Sequence, residues 1–145
     1  MYRFKEIHNG GSKKERLPFK HCEDNIWLVK PAALNQGKGI EIFRNIKDIQ
    51  QFIFSRPINT LWVVQKYVER PMLYRGRKFD LRIWSLFTWR HELYVYKKGY
   101  VRTSSDDYSL SNKNNYVHLT NNCLQKFGDN YGKHEDGNTL GFEKL

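Results

Sequence analysis

The stretch Arg75-Gly76-Arg77-Lys78-Phe79-Asp80-Leu81-Arg82-Ile83-Trp84-Ser85-Leu86-Phe87 constrains this chain more than any other. Successive side chains of a strand point to opposite faces, so residues two apart share one. Phe79, Leu81, Ile83 and Phe87 then form an apolar stripe, with Ser85 its one small polar member. The other face carries Lys78, Asp80 and Arg82 in succession, followed by Trp84 and Leu86. Clustered charge at the start of so apolar a strand suits a polar cleft, and it suits a solvated face with ordinary ion pairing equally well.

The 145 residues, with nine Phe, nine Tyr and four Trp, suffice for one packed domain or a piece of one. A net charge of +10 points to an anionic partner: nucleotide phosphate, nucleic acid, acidic lipid or an acidic protein tail. Cys22 and Cys123 make neither a metal-ligand spacing nor a disulfide framework, and read as free thiols in a reducing compartment. No apolar run approaches the roughly 20 residues that span a bilayer. The basic N-terminus lacks an apolar signal core, so a soluble, intracellular protein without membrane contact is expected. Residues 1–25 read as a polar N-terminal segment, either a surface loop or the edge of a larger domain.

Ile26 to Lys30 reads as a short buried strand stopped by Pro31, and Ile40 to Phe43 as a second strand. The loop between them holds Gly37-Lys38-Gly39. Glycines let backbone approach a phosphate and lysines supply charge, but a hairpin turn with solvated lysines fits as well. It is not a Walker loop, which needs a glycine where Ala32 stands and Ser or Thr where Gly39 stands. Asn45 is placed to cap a helix whose apolar face is Ile46, Ile49, Phe52 and Ile53, ended by Pro57. Leu61 to Val68 is a β run; its tail suits either an adenine-reading segment or an ordinary strand leaving the core. Residues 79–102 read as an antiparallel meander, with turns at Trp89–Glu92 and Lys97–Gly99. Ser104 to Asn115 reads as a loop, Tyr116 to Asn122 as a short strand entering a polar turn, and 128–138 as loop again. Thr139 to Leu145 ends on Phe142-Glu143-Lys144-Leu145, which reads as the start of a helix, an ending expected of a fragment.

Five segments in order resemble the tubulin–tyrosine ligase and ligase-like family, a branch of the ATP-grasp enzymes. They are Trp27-Leu28-Val29-Lys30-Pro31 with Gly37-Lys38-Gly39-Ile40, then Trp62 to Tyr67, Arg77 to Arg82, Gly99 to Thr103, and His118 to Lys126. The resemblance implies an α+β fold: a partial ATP-grasp domain over 26–145, mainly antiparallel sheet with flanking helices, comprising the central lobe and the start of the C-terminal lobe. It implies that ATP, held between two lobes, phosphorylates a carboxylate, and that an amine then attacks the acyl-phosphate. Such chemistry depends on positioning and on neutralising phosphate charge.

By matching position, the resemblance assigns Lys30 to the ATP phosphates and places Lys38 on a loop closing over them. Gln65, Lys66, Tyr67 and Val68 become the adenine-reading hinge, and Lys78 and Asp80 complete the nucleotide site. Arg82 would hold a substrate carboxylate, and Arg102 the acidic tubulin tail, because a guanidinium forks onto carboxylates. Thr120 and Asn121 fall near the acceptor and nucleotide phosphates, and His118 is left structural. No metal ligand is assigned here: the family's Mg²⁺-binding Asp and Glu-x-Asn are expected beyond Leu145. The chain by itself is therefore expected to be inactive and the activity to belong to a longer parent. Tyrosine and glycine rank level as the amino acid added to tubulin, with glutamate behind. The implied partners are tubulin tails, microtubules and a free amino acid, and the implied location is cytoplasm and cytoskeleton, extending to cilium or basal body. Two other readings stand beside it: a non-catalytic microtubule-binding relative, and a basic, aromatic-rich nucleic-acid module. Against the latter, the aromatics alternate into stripes that look like core.

Overall fold

Trp27–Pro31 forms β1, the middle strand of a three-stranded antiparallel sheet with β2 (Glu41–Phe43) and β3 (Trp62–Lys66) in the order β2-β1-β3. The computed structural model describes residues 24–145, so most of the 1–25 segment, Cys22 included, lies outside the described residues. The described part of the expected 26–145 domain consists of two units that meet in sequence at Pro71 and Met72.

In the first unit, β1 pairs with β3 so that Trp27 opposes Lys66 and Pro31 opposes Trp62. Tyr67 N–H donates to Ile26 O at 3.0 Å, and Ala32 N–H to Leu61 O at 2.8 Å. The ladder bonds thus fall at alternate positions that skip Pro31, whose missing N–H points towards β2 beyond the last β1–β2 pair. Proline is thereby accommodated at the end of a central strand. The helix α1 (Ile46–Phe54) starts where expected, with Asn45 Oδ1 accepting from Asp48 N–H at 2.9 Å. Its Ile49 packs with Trp27 and Val29, and Phe43, Phe52, Ile53 and Trp62 close the cluster. The rings of Phe43, Phe52 and Trp62 meet in succession at 5.2 Å centroid spacings.

The second unit is a four-stranded antiparallel sheet in the order β4-β5-β8-β9 with a separate hairpin β6–β7. Its strands are β4 (Leu73–Tyr74), β5 (Arg77–Arg82), β6 (Ser85–Phe87), β7 (Leu93–Val95), β8 (Tyr100–Asp107) and β9 (Thr139–Gly141). The expected meander is corrected here. The long central strand breaks at Ile83-Trp84, β5 pairs with β8, and β6 and β7 pair only with each other. The break follows from where the chain must go: Gly99 opens β8 with its α-carbon flush against Arg82. A Cβ there would stand 2.6 Å from the Arg82 carbonyl oxygen, and β8 takes the place beside β5 that a meander would give to the return strand, β7.

Three further expectations are corrected. Ser104 to Asp107 belongs to β8, not to a loop, and Ser104 and Ser105 are buried. Residues 116–122 hold no strand; single helical turns α2 (Asn115–His118) and α3 (Asn122–Gln125) occupy this region, the first capped by Asn114 Oδ1. The helix start expected at Phe142 is a single 3₁₀ turn, Phe142–Lys144, and the residues before it form β9. The apolar stripe is also not core: Leu81, Ile83 and Phe87 are exposed, as are Trp84, Trp89 and Tyr96. Among the described residues no helix is long and apolar enough to cross a membrane.

A buried ion pair joins the start of β5 to the loop before β9. Arg77, 2% exposed, donates from Nη1 to Glu135 Oε2 at 2.8 Å and from Nη2 to Oε1 at 2.5 Å, and also to Ser104 O at 3.1 Å. Arg77 holds the Glu135 carboxyl below its ordinary value of 4.5, burial opposes this, and the Thr103 hydroxyl adds to it. Folded chain therefore releases this proton more readily than unfolded chain. The resulting stabilisation is present above about pH 4.5 and is lost as pH falls through the lower folded value. Arg77→Ala, which strands Glu135, is expected to cost about 3–5 kcal/mol in denaturant unfolding. It should also weaken the loss of stability expected of the parent below about pH 4.5.

Candidate functional site

In the first unit, strand parity separates packing from chemistry. Trp27, Val29 and Trp62 share the sheet face covered by α1, and Leu28, Lys30 and Gln65 share the other. On that second face Lys30 Nζ donates to Gln65 Oε1 at 2.9 Å across the β1–β3 ladder. β3 is an edge strand, and the bonding parity turns the backbone groups of Lys66 and Val64 outward from β1. The turn after β1 requires glycine: Gly39 sits at φ 69°, and a Cβ there would press on Pro31 Cγ at 2.9 Å. Lys38 is exposed on this turn, and its N–H donates to Asn35 O at 3.1 Å.

The residues expected to form the hinge are anchored by a carboxylate at their C-terminal end. Glu69, 1% exposed, accepts from Asp24 N–H and Ile26 N–H, both at 2.7 Å, and from Lys66 Nζ. Lys66 Nζ also donates to Ile26 O at 3.0 Å, so its side chain is structural and only its backbone faces outward. Tyr67 is buried and its N–H is spent on Ile26, whereas Val68 is exposed.

In the second unit the cross-strand pair Asp80↔Arg102 organises the site residues. Arg102 Nε donates to Asp80 Oδ1 and Nη2 to Oδ2, both at 2.8 Å. Thr120 Oγ1 donates to the same Oδ2. Arg102's own affinity for its proton rises, first through this hydrogen bond to Asp80, so the guanidinium is charged at every relevant pH. Lys78 lies on the same side of β5, with its N–H on Ser104 Oγ at 3.0 Å. Arg82, opposite Tyr100 at the end of β5, is exposed. Asn121 caps α3 with its backbone oxygen, and its side chain makes no capping bond. His118 is buried with Nε2 2.6 Å from Asn112 O, which fits the structural role expected of it. Cys123 is exposed and unbridged.

The structure thus groups Lys30 with Gln65, and Asp80 with Arg102, Thr120 and Lys78. It leaves Lys38 and Arg82 on open surface. Sequence reasoning passes over Glu69, Arg77 and Glu135, and no local signal marks them. Their partners lie 43 and 45 residues away for Glu69 and 58 away for the Arg77–Glu135 pair.

Lys78 carries the one strong electrostatic anomaly among the described lysines. Burial pushes its pKa down from 10.5 to about 8, and the nearby Asp80 carboxylate partly offsets the fall. The ammonium is therefore present below about pH 8 and lost above it. Lysine-selective NMR titration should find one Nζ with a midpoint near 8, and Asp80→Asn should move that midpoint further down.

Comparison with known proteins places these features. A sequence model of the Tubulin-tyrosine ligase family matches residues 3–144. Tubulin glycylase 3C of Tetrahymena thermophila is 43% identical over 107 residues, covering 72% of this chain and 10% of that protein. A tubulin monoglycylase of Homo sapiens is 43% identical over 111 residues, covering 73% and 14%. A probable tubulin polyglutamylase of Homo sapiens is 41% identical over 124 residues, covering 83% and 19%. The chain spans between 10% and 19% of the length of these relatives. With β1, its glycine turn, and the β5 and β8 motifs all inside the matched range, the chain belongs to the tubulin-tyrosine ligase family.

Proposed function

We propose that the chain is part of an ATP-dependent carboxylate–amine ligase of ATP-grasp architecture that adds an amino acid to tubulin. Glycine is the amino acid favoured, ahead of glutamate and tyrosine, because six glycylase relatives match at 36–45% identity, against two probable polyglutamylases at 37–41%. The observation that carries the reading is one side of the β5–β8 pair. In a chain of this family, Lys78, Asp80, Arg82 and Arg102 share that side.

The residues of the first unit fit a nucleotide. Lys30 is held at 2.9 Å by Gln65 on the face opposite the packed helix, and a glycine-dependent turn carries Lys38. The outward backbone of Lys66 and the exposed Val68 offer an edge that a purine can pair with. Bound ATP would supply a phosphoryl group to a carboxylate, and the amine that displaces the resulting phosphate forms the amide. The role of this chain's cations is to hold and neutralise: Lys30 and Lys78 towards phosphate, Arg82 and Arg102 towards carboxylate. Mg²⁺ belongs to the reading, but among the described residues no three His, Cys, Asp or Glu side chains gather to hold an ion. No metal ligand is assigned to this chain. A place on cytoplasmic or ciliary microtubules follows from the substrate.

The test is incorporation of labelled glycine, glutamate or tyrosine into tubulin by the full-length protein containing this segment, with and without ATP. Glycine incorporation that requires ATP is expected; ATP-independent binding to tubulin with no incorporation of any of the three refutes the reading. Arg82→Ala in the same protein should lower tubulin modification about 10- to 100-fold, the range expected for losing a charged hydrogen-bond pair. Nucleotide affinity should stay within about twofold of the parent. Equal loss of both would remove Arg82 as a carboxylate anchor.

A further inference from the structure

We propose that Asp80 and Thr120 are positioning residues for Arg102: the carboxylate, steadied by the threonine hydroxyl, grips one edge of the guanidinium so that the other edge faces a substrate carboxylate. This rests on the ligase reading for the identity of the substrate, an acidic peptide, and on geometry for the rest.

A guanidinium has five N–H donors. Asp80 takes the Nε side, with bonds from Nε and from one Nη2 hydrogen at 2.8 Å each. The remaining edge, made of Nη1 and the second Nη2 hydrogen, has no hydrogen-bond partner among the described residues. That edge carries the parallel donor pair that matches a carboxylate bidentately. The Arg102 side chain is 20% exposed, so it is not sealed from solvent while Asp80 holds it. A free arginine loses rotamer freedom when it is fixed. Here the fixing is done before substrate arrives, which is how preorganisation raises affinity.

Thr120 makes this more than a common strand ion pair. It is buried, comes from a different segment, and bonds the same Asp80 oxygen that Nη2 uses. The backbone just before it is tethered by Gln125, whose Nε2 donates to Leu119 O and to Tyr116 O. Asp80 Oδ2 thus accepts twice and Oδ1 once, all from protein donors. The carboxylate is turned to Arg102.

The experiment uses the full-length protein and three readouts: affinity for a polyglutamate peptide, affinity for ATP, and the Arg102 Nε–H signal in NMR. Asp80→Asn and Arg102→Ala should each weaken peptide binding about tenfold, and the double variant should be no weaker than Arg102→Ala alone. Thr120→Val should fall between, Thr120→Ser should restore the parent value, and ATP affinity should move less than about twofold in Arg102→Ala. The protected Nε–H signal should vanish in Asp80→Asn. Additive losses, a tenfold drop in ATP affinity with unchanged peptide binding, or no polyglutamate binding by the parent would each overturn the proposal. If Asp80→Asn fails to fold, the Thr120 pair alone decides. A parent that adds no amino acid to tubulin, yet shows the non-additive pair, defeats the ligase reading and leaves the positioning role standing.

Discussion

The antiparallel pairing of β5 with β8 is the constraint on which the second unit depends. It opposes Asp80 to Arg102 and Leu81 to Val101, so one register sets both the polar face and the apolar one. A slip of one residue would exchange the two faces of either strand. Three features hold the register. Gly99 admits the Arg82 carbonyl where a side chain could not stand. The Arg77–Glu135 pair anchors the far end of β5. Between them, the irregularity between Arg77 and Phe79 absorbs the extra residues of β8.

The interior of this unit is unusually polar, and that explains where composition misleads. Thr103, Ser104 and Ser105 are buried within β8, and a run of Ser and Asp beyond them reads as loop in the sequence. Burial of such groups is tolerable only when they are paired. Gln125 Oε1 accepts from Ser105 N–H at 2.8 Å and from its hydroxyl at 2.5 Å. Asn138 Nδ2 donates to Thr103 O at 3.2 Å and to Ser105 Oγ at 2.9 Å. The glycine- and asparagine-rich segment after α3 is therefore a source of partners for the strand. Its Asn138, at φ 52°, adopts the left-handed backbone that asparagine tolerates better than most residues.

The first unit obeys simpler rules, and more of it is legible in the chain. Asn45 before an apolar face at helical spacing announces α1, and the cap bond is there. The β-rich runs at 26–30 and 61–68 become β1 and β3, and alternation alone divides Trp27 and Val29 from Lys30. What hides is Glu69. As a charged residue following a strand it looks solvated, yet it closes two backbone amides and Lys66 from beneath. The hairpin β6–β7 is the opposite case: its alternating aromatics promise a core stripe, and they stand exposed.

By itself the sequence determined the family, the strand and helix segments with strong local periodicity, and the list of candidate cations. These follow from motif order, side-chain alternation and capping, all readable within a few residues. Only tertiary structure decided that β8 and not β7 lies beside β5, that serines are interior, and that Asp80 is bound to Arg102 and Thr120. The reason is physical: each of these rests on partners 20 to 40 residues distant, Gln125 for Ser105, Arg102 and Thr120 for Asp80. A buried polar group's stability depends on those partners and not on its neighbours in the chain.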